Sequence, residues 1–98
     1  LRSLFLVRNQ ITAVGARSLA EAIGREGVLP QLAYLDLSGN QLGDEGAAAL
    51  AQALIGGALP HLLTLDAREN NLTDSGRAQL ATACGRSDPT LNRVHPYL

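Results

Sequence analysis

Acidic, basic and imidazole side chains at matched positions of the sequence are the first candidates for chemistry. Asp36 and Asp66 occupy equivalent places in two leucine-rich segments whose alternation turns every second side chain outward. On neighbouring parallel strands their carboxylates would lie about 4.8 Å apart, with His95 as the candidate next member of the row. Two carboxylates and an imidazole can hold a metal or perform acid–base catalysis. Alternatively, Arg68 and Arg93 neutralise the carboxylates, or an arginine or lysine of a partner does so.

Other residue patterns typical of catalysis or cofactor binding do not occur in the sequence. All positively charged side chains are arginine, so a phosphate loop of the G-x-x-x-x-G-K type, which needs a lysine, is excluded. No histidine–cysteine cluster has metal-ligand spacing, and there is no serine-elbow or H-E-x-x-H motif. Cys84 stands where earlier segments have Ile23 and Leu54, which predicts a buried, unreactive thiol. We therefore predict a protein that is not an enzyme and that uses no cofactor or metal.

Length, charge and composition limit the class of protein further. The chain has 98 residues, of which 46% are hydrophobic and 17% charged, and its formal net charge is −1. A near-neutral balance without basic runs argues against nucleic acid or an anionic membrane as the partner. No apolar stretch approaches the roughly 20 residues that cross a bilayer. A single cysteine excludes an internal disulfide and favours a reducing, cytoplasmic compartment.

Eight positions recur at the same offsets in three successive segments, so the chain consists of repeats. Periods near 30 residues are typical of solenoids, in which each unit buries its apolar side against its neighbours. The three copies are Leu1, Leu4, Leu6, Asn9, Ile11, Gly15, Leu19 and Ile23; Leu32, Leu35, Leu37, Asn40, Leu42, Gly46, Leu50 and Leu54; and Leu62, Leu65, Ala67, Asn70, Leu72, Gly76, Leu80 and Cys84.

Each copy combines a strand pattern with a helix pattern. The leucines alternate as in a strand with one buried face, and the asparagine that follows is predicted to bond to backbone groups at the bend between copies. The apolar residues four positions apart then predict helices at 14–23, 45–55 and 75–84. Asp44 and Asp74 are predicted to cap the second and third helices, and Thr12 is the candidate cap of the first.

The pattern L-x-x-L-x-L-x-x-N-x-L-x-x-x-G-x-x-x-L-x-x-x-L resembles the leucine-rich repeat of the ribonuclease-inhibitor-like subfamily. That subfamily includes ribonuclease inhibitor, the Ran GTPase-activating protein and the NOD-like receptors. The resemblance implies an α/β solenoid, a horseshoe with parallel strands on its concave side and helices on its convex side. The chain would then be one domain, 1–98, with repeats at 1–31, 32–61 and 62–90 and a partial terminal repeat at 91–98. Because these proteins share no single activity, the resemblance implies a binding scaffold and no particular ligand.

The two ends of the predicted array differ in sequence. Leu1 already occupies a core position, so the first copy is expected to leave an open apolar face at its N-terminal end. We expect the chain to be a fragment of a longer array, in which upstream repeats or a partner cover this face. At the other end, Leu91 and Val94 are expected to keep the register, which gives Pro96 the position of Leu6. A proline there suits a last strand.

The outward positions of the strands predict a protein-binding surface. All three aromatic side chains of the chain fall there, and aromatic residues and arginine are enriched at protein interfaces. We predict a protein–protein interaction module of a larger intracellular receptor or regulator, with another protein as partner and neither nucleic acid nor membrane insertion. The alternatives are a module that regulates a GTPase and a structural subunit of a large assembly, which would bury the convex side. The predicted contact residues on the concave face are Phe5, Tyr34, Asp36, Asp66, Arg68, Arg93 and Tyr97.

Overall fold

Four short strands and three helices alternate along the chain. A computed structural model describes residues 1–25 and 27–98. Each predicted helix is present and begins one or two residues earlier than the apolar pattern indicates. In chain order the elements are β1 (Ser3–Phe5), α1 (Ala13–Ile23), β2 (Tyr34–Asp36), α2 (Gly43–Ile55), β3 (Thr64–Asp66), α3 (Asp74–Cys84) and β4 (His95–Tyr97).

The strands form one parallel sheet, and the helices pack side by side against each other. Strand order in the sheet is β1-β2-β3-β4, the same as in the sequence. The middle helix, α2, contacts both α1 and α3. Each parallel pair is therefore joined by one helix, as a parallel connection requires. This confirms the predicted α/β solenoid.

The register of the sheet places equivalent residues of the four strands in three rows. The middle row faces the core, where Leu35 and Leu65 are fully buried. The first and third rows lie on the opposite side, and we call the surface that they form the sheet face. The rows are Ser3, Tyr34, Thr64 and His95; Leu4, Leu35, Leu65 and Pro96; and Phe5, Asp36, Asp66 and Tyr97.

The register of β4 corrects one prediction from the sequence. Pro96 pairs with Leu65, so it occupies the position of Leu4 and not that of Leu6. Leu91 lies in the preceding loop, outside the strand. The connection from α3 to β4 is as long as that from α1 to β2, and the position of Leu32 and Leu62 is taken there by Arg93 and not by a leucine. The leucine pattern does not continue through this loop, so an alignment that starts from Leu91 is shifted by two residues.

Backbone hydrogen bonds explain why a proline fits in β4. The His95 N–H donates to the carbonyl of Leu63 at 2.7 Å, and the Tyr97 carbonyl accepts from the N–H of Ala67 at 2.8 Å. Backbone groups of successive residues alternate in direction, so Pro96 turns toward the free edge of the sheet. Its missing N–H breaks no bond there, which confirms that the proline suits an edge strand.

The recurring asparagine holds one repeat to the next. The Asn40 Oδ1 accepts from two backbone N–H groups of the first repeat, at 2.8 and 3.0 Å. The Asn40 Nδ2 donates to the carbonyls of Leu6 and Leu37, at 2.9 and 2.8 Å. Asn70 bridges the second and third repeats in the same way, and both asparagines are buried. The predicted role of this position is confirmed.

Asp44 and Asp74 do not cap their own helices, contrary to the prediction. Thr12 holds the N-cap position of α1 as predicted, although its side chain makes no capping hydrogen bond there. Thr73 precedes α3, and the two aspartates lie in first turns. Asp44 instead reaches across to the next repeat, where its carboxylate accepts from the Thr73 N–H at 3.0 Å and from the Thr73 hydroxyl. Gly76 leaves the necessary room, because an added Cβ would collide with this carboxylate.

This cross-repeat contact predicts a pH-dependent stability. The hydrogen bond from the Thr73 side chain, followed by that from its backbone, holds the pKa of Asp44 below its ordinary 3.8. Such a group stabilises the fold above its unfolded pKa, and the contribution is lost as the pH falls through the folded pKa. We expect Asp44→Ala to melt at a lower temperature than the parent chain at pH 7, and the difference to shrink below pH 3.8.

Thermal melts followed by circular dichroism, at pH 7 and in steps below pH 4, measure this difference. Glu45→Ala is the matched control, because Glu45 is an exposed carboxylate on the same turn whose contact with Arg17 is long, 3.6 Å. Exposed pairs of this kind contribute little to stability. An equal loss for the two variants at pH 7 would contradict the role that we assign to Asp44.

Arg86 is a buried positive charge that the sequence analysis did not single out. Its Nη1 and Nη2 donate to the carbonyls of Ala58 and Leu59, at 2.8 and 2.7 Å. Burial lowers the pKa of this guanidinium. The side chain thereby ties the loop after α3 to the loop after α2. It was missed because it lies outside the eight recurring positions.

Candidate functional site

Most of the predicted contact residues come together on the sheet face. Five of them lie in its two rows: Phe5, Tyr34, Asp36, Asp66 and Tyr97. Arg68 follows β3 and folds back onto the sheet face. Arg93 lies elsewhere, since it precedes β4 and lines a cavity with Gly85 and Arg86 beside the C-terminal end of α3. The prediction that placed Arg93 in a sheet row is therefore wrong, for the same reason as the shift of β4.

The aromatic side chains form two pairs at opposite ends of the sheet face. The rings of Phe5 and Tyr34 are 5.5 Å apart between centroids and tilted by 38°. The rings of His95 and Tyr97 are 4.8 Å apart in an edge-to-face arrangement. Phe5 is 63% exposed, Tyr97 is 44% exposed, and Tyr34 is partly buried. None of these three predicted contact residues belongs to the hydrophobic core.

The two aspartates of the sheet face are far less exposed than predicted. Asp36 is 9% exposed and Asp66 only 2%. Both side chains point to the predicted side of the sheet, but each Oδ1 accepts from the backbone N–H two residues later. The donors are Ser38 at 2.9 Å and Arg68 at 3.1 Å. These local bonds hold the two carboxylates close to the backbone, where neighbouring side chains cover them.

Arg68 neutralises Asp66 through a two-point ion pair. Its Nε donates to Oδ1 at 3.0 Å and its Nη2 to Oδ2 at 2.7 Å. The side-chain hydrogen bond from Arg68 is the largest cause that lowers the pKa of Asp66. The same guanidinium carbon lies 5.3 Å from the centroid of the Tyr97 ring. Of the two arginines predicted to neutralise the aspartates, Arg68 does so for Asp66, whereas Arg93 is turned away.

The row that the sequence suggested for a metal or for acid–base catalysis does not form as predicted. The residue beside Asp66 is Tyr97, while His95 lies in the other row beside Thr64. Within residues 1–25 and 27–98, no three histidine, cysteine, aspartate or glutamate side chains converge on a possible metal position. The assembled row is Phe5, Asp36, Asp66 and Tyr97, with two carboxylates between two rings.

Comparison with known proteins agrees with this geometry. A family model described as "Leucine Rich repeat" matches residues 1–20, 28–51 and 58–81, which is more than half of the chain. The chain belongs to the leucine-rich repeat family. It is also 48% identical, over 54 residues, to NACHT, LRR and PYD domains-containing protein 5 of Bos taurus. That match includes 55% of this chain and only 5% of the length of the relative.

The only cysteine of these leucine-rich repeats is a core residue. Cys84 is fully buried at the end of α3, and burial raises the pKa of its thiol to about 11. A thiol with that pKa is protonated at neutral pH and is a poor nucleophile. The predicted burial of this thiol is confirmed, and the raised pKa agrees with the low reactivity that we predict. In the part of the chain that the structure describes, no helix is long and apolar enough to span a bilayer.

Proposed function

We propose that this leucine-rich repeat chain is a non-catalytic protein-binding module of a larger cytoplasmic receptor of the NOD-like kind. Its partner is another protein, which docks on the sheet face, the concave side of the solenoid. The relative of Bos taurus supports the class of parent protein, because its name combines leucine-rich repeats with NACHT and PYD domains.

The observation that carries the proposal is the clustering of interface-type side chains on one surface. Phe5, Tyr34 and Tyr97 lie on the sheet face, together with Arg68. Exposing an aromatic ring to water is unfavourable for the free chain, and a docking partner would cover these rings. Aromatic residues and arginine are the types that dominate binding energy at protein interfaces. The helix side carries arginine, such as Arg17, but none of the three aromatic side chains lies there, and the groove between α2 and α3 is lined mainly by alanine and glutamine.

Two alternatives assign the binding to other features. A GTPase-regulating module would rest on the subfamily alone, because no residue of the sheet face corresponds to that activity. A structural subunit of an assembly would bury the helix side. The test below separates this last alternative from docking on the sheet face.

We expect Tyr34→Ala and Phe5→Ala to weaken partner binding while the fold is kept. Neither ring is in the core, and an anchor that becomes fully desolvated on binding contributes about 2 kcal/mol or more, roughly a thirtyfold change in affinity. The matched controls are Gln52→Ala and Gln79→Ala on the helix side, where both side chains are exposed. Such surface changes alter stability or affinity by less than about 0.5 kcal/mol.

The measurement is quantitative mass spectrometry of proteins recovered with the tagged parent protein and with each variant. The proposal requires a set of proteins that is lost with both sheet-face variants and retained with both helix-side variants. The opposite pattern, loss with Gln52→Ala and Gln79→Ala only, would establish the assembly-subunit alternative and overturn the proposal.

We also propose that a further leucine-rich repeat covers the end face of β1 and α1, which we call the N-terminal face. Its residues Leu4, Leu6, Ile11 and Leu19 are only half buried, whereas their equivalents in the second repeat are fully buried. The exposed side chain of Asn9 makes a single 3.3 Å bond, to Val7, where the equivalent Asn40 joins two repeats. One more repeat in the same register completes the burial of these four apolar side chains and offers Asn9 the backbone groups that Asn40 has in the first repeat.

A further inference from the structure

We call the part of the sheet face on β1 and β2 its first half and the part on β3 and β4 its second half. The second half contains a cationic side chain, Arg68, and the first half has none at the equivalent position. The row Phe5, Asp36, Asp66 and Tyr97 reads ring, carboxylate, carboxylate, ring. In the second half, the Arg68 guanidinium pairs with Asp66 and lies over the Tyr97 ring. In the first half, the position equivalent to Arg68 is Ser38, which has no charge. No cationic side chain of residues 1–25 or 27–98 forms an ion pair with Asp36.

The Asp36 carboxylate lies in surroundings suited to a cation. The residue is 9% exposed, and within residues 1–25 and 27–98 its carboxylate accepts one hydrogen bond, from the Ser38 N–H. Phe5 flanks it in the same row, and the ring of Tyr34 precedes it on the same strand, 5.5 Å from that of Phe5. Aromatic faces attract cations, most strongly when the cation is desolvated, and a buried carboxylate gains from a charged partner.

The balance of charge leaves one negative unit unmatched. Asp36 and Asp66 place two negative charges on the sheet face, and Arg68 neutralises one of them. Burial raises the pKa of the Tyr34 hydroxyl, the charges of Asp36 and Asp66 raise it further, and the charge of Arg68 lowers it, so both carboxylates act on this part of the sheet face. An incoming positive group is favoured there and a negative one is opposed.

We propose that Phe5, Tyr34 and Asp36 form a subsite for an arginine side chain of the docking partner. Its guanidinium pairs with Asp36 and lies against the ring of Phe5 or Tyr34, as Arg68 pairs with Asp66 and lies against Tyr97. A planar guanidinium serves both contacts, which an ammonium group does less well. This subsite rests on the proposed function, because it assigns the chemistry of one contact within the same docking surface.

The test is an NMR titration of the ¹⁵N-labelled full chain with the peptide acetyl-Gly-Arg-Gly-amide, and with the same peptide containing citrulline. Citrulline has nearly the shape of arginine without its charge. We expect the arginine peptide to shift the amide signals of Phe5, Tyr34 and Asp36 and to bind about fivefold more tightly than the citrulline peptide or better. The preference should decrease as the salt concentration rises.

Two variants make the assignment specific. Asp36→Asn keeps an oxygen for the Ser38 N–H and should abolish the preference for arginine, while Glu69→Gln, at an exposed carboxylate, should leave it unchanged. Ser38→Arg places a guanidinium in the chain where Arg68 stands in the next repeat. This variant should close the subsite to the peptide, and a melting temperature no lower than that of the parent shows that it is folded.

The proposal is overturned if the arginine and citrulline peptides bind equally, or if Asp36→Asn retains the preference for arginine. It is also overturned if the shifts centre on other exposed carboxylates. Failure of the subsite is distinguishable from failure of the docking surface in the partner-recovery experiment. Loss of partners with Tyr34→Ala but not with Asp36→Asn rejects the subsite and keeps the docking surface, whereas retention with both variants rejects the two together.

Discussion

Replacing Asn40 by alanine is expected to lower the free energy of unfolding by about 3 kcal/mol or more, because four backbone groups that are buried or partly buried lose their partners at once. The Asn40 amide satisfies the N–H groups of Asn9 and Ile11 and the carbonyls of Leu6 and Leu37. An alanine satisfies none of them, and because the site is partly or fully buried, water replaces the lost bonds only in part. For a domain of this size, the loss corresponds to a fall in melting temperature of about 12 °C or more.

The repeat itself supplies the control for this variant. Asn9 occupies the same position in the first repeat, but its side chain is exposed and makes one 3.3 Å bond to Val7. Asn9→Ala should therefore change the free energy of unfolding by less than about 0.5 kcal/mol. Gln41→Ala, beside Asn40 with an exposed side chain, should behave like Asn9→Ala. Equal losses for Asn40→Ala and Asn9→Ala in urea unfolding would show that bridging between repeats is not the source of the stability.

The elements of the fold were predictable because a solenoid repeats its core. Leu35 and Leu65 occupy equivalent positions, and a leucine suits both because each fills the space between a strand and the helices. Asn40 and Asn70 likewise repeat because each new bend presents the same unsatisfied backbone groups. A pattern of this kind identifies every position whose environment recurs.

The parts that the sequence did not predict lie where the environment does not recur. The connection between α3 and β4 has its own turn, in which Asp88 accepts from the N–H of Thr90, and Arg93 replaces the leucine that precedes β2 and β3, so the leucine pattern did not give the register of β4. The burial of Asp36 and Asp66 comes from bonds to their own backbone, which the alternation of side chains does not reveal.

The candidate site shows the same limit more sharply. The sequence placed the aromatic side chains and Asp36, Asp66 and Arg68 on one surface, because alternation along a strand is regular. It did not distinguish a neutralised carboxylate from one that lacks a cation, because Arg68 and Arg93 were equivalent candidates. Only the register, which sends Arg93 into a cavity at the end of α3, separates Asp66 from Asp36 as a point of contact.

The two end faces of the array are physically unlike, and this difference can be measured by adding a repeat. A copy of residues 32–61 fused before Leu1 keeps the repeat spacing and places a second-repeat helix and strand against the N-terminal face. Leu4, Leu6, Ile11 and Leu19 then complete their burial, and fully burying a leucine or isoleucine contributes about 1.5–3 kcal/mol relative to full exposure. Since these residues are already half buried, we expect a total gain of several kcal/mol and a melting temperature higher by about 10 °C.

Residues 38–67 fused after Leu98 are the matched control, because Leu98 follows β4 as Leu37 follows β2 and the repeat spacing is kept, and this extension should gain much less. At the positions of Ala16 and Ala47, which are fully buried between neighbouring helices, the third repeat has Arg77. The Arg77 guanidinium lies across the end of α3, where it bonds to the Leu72 carbonyl and to Asp74, and a following helix would have to displace it. Pro96 also offers no N–H to a following strand. Equal gains at the two ends, or none at the N-terminal end, would contradict the proposal that the N-terminal face is built to receive a repeat, because an equivalent helix and strand are offered in register to both faces.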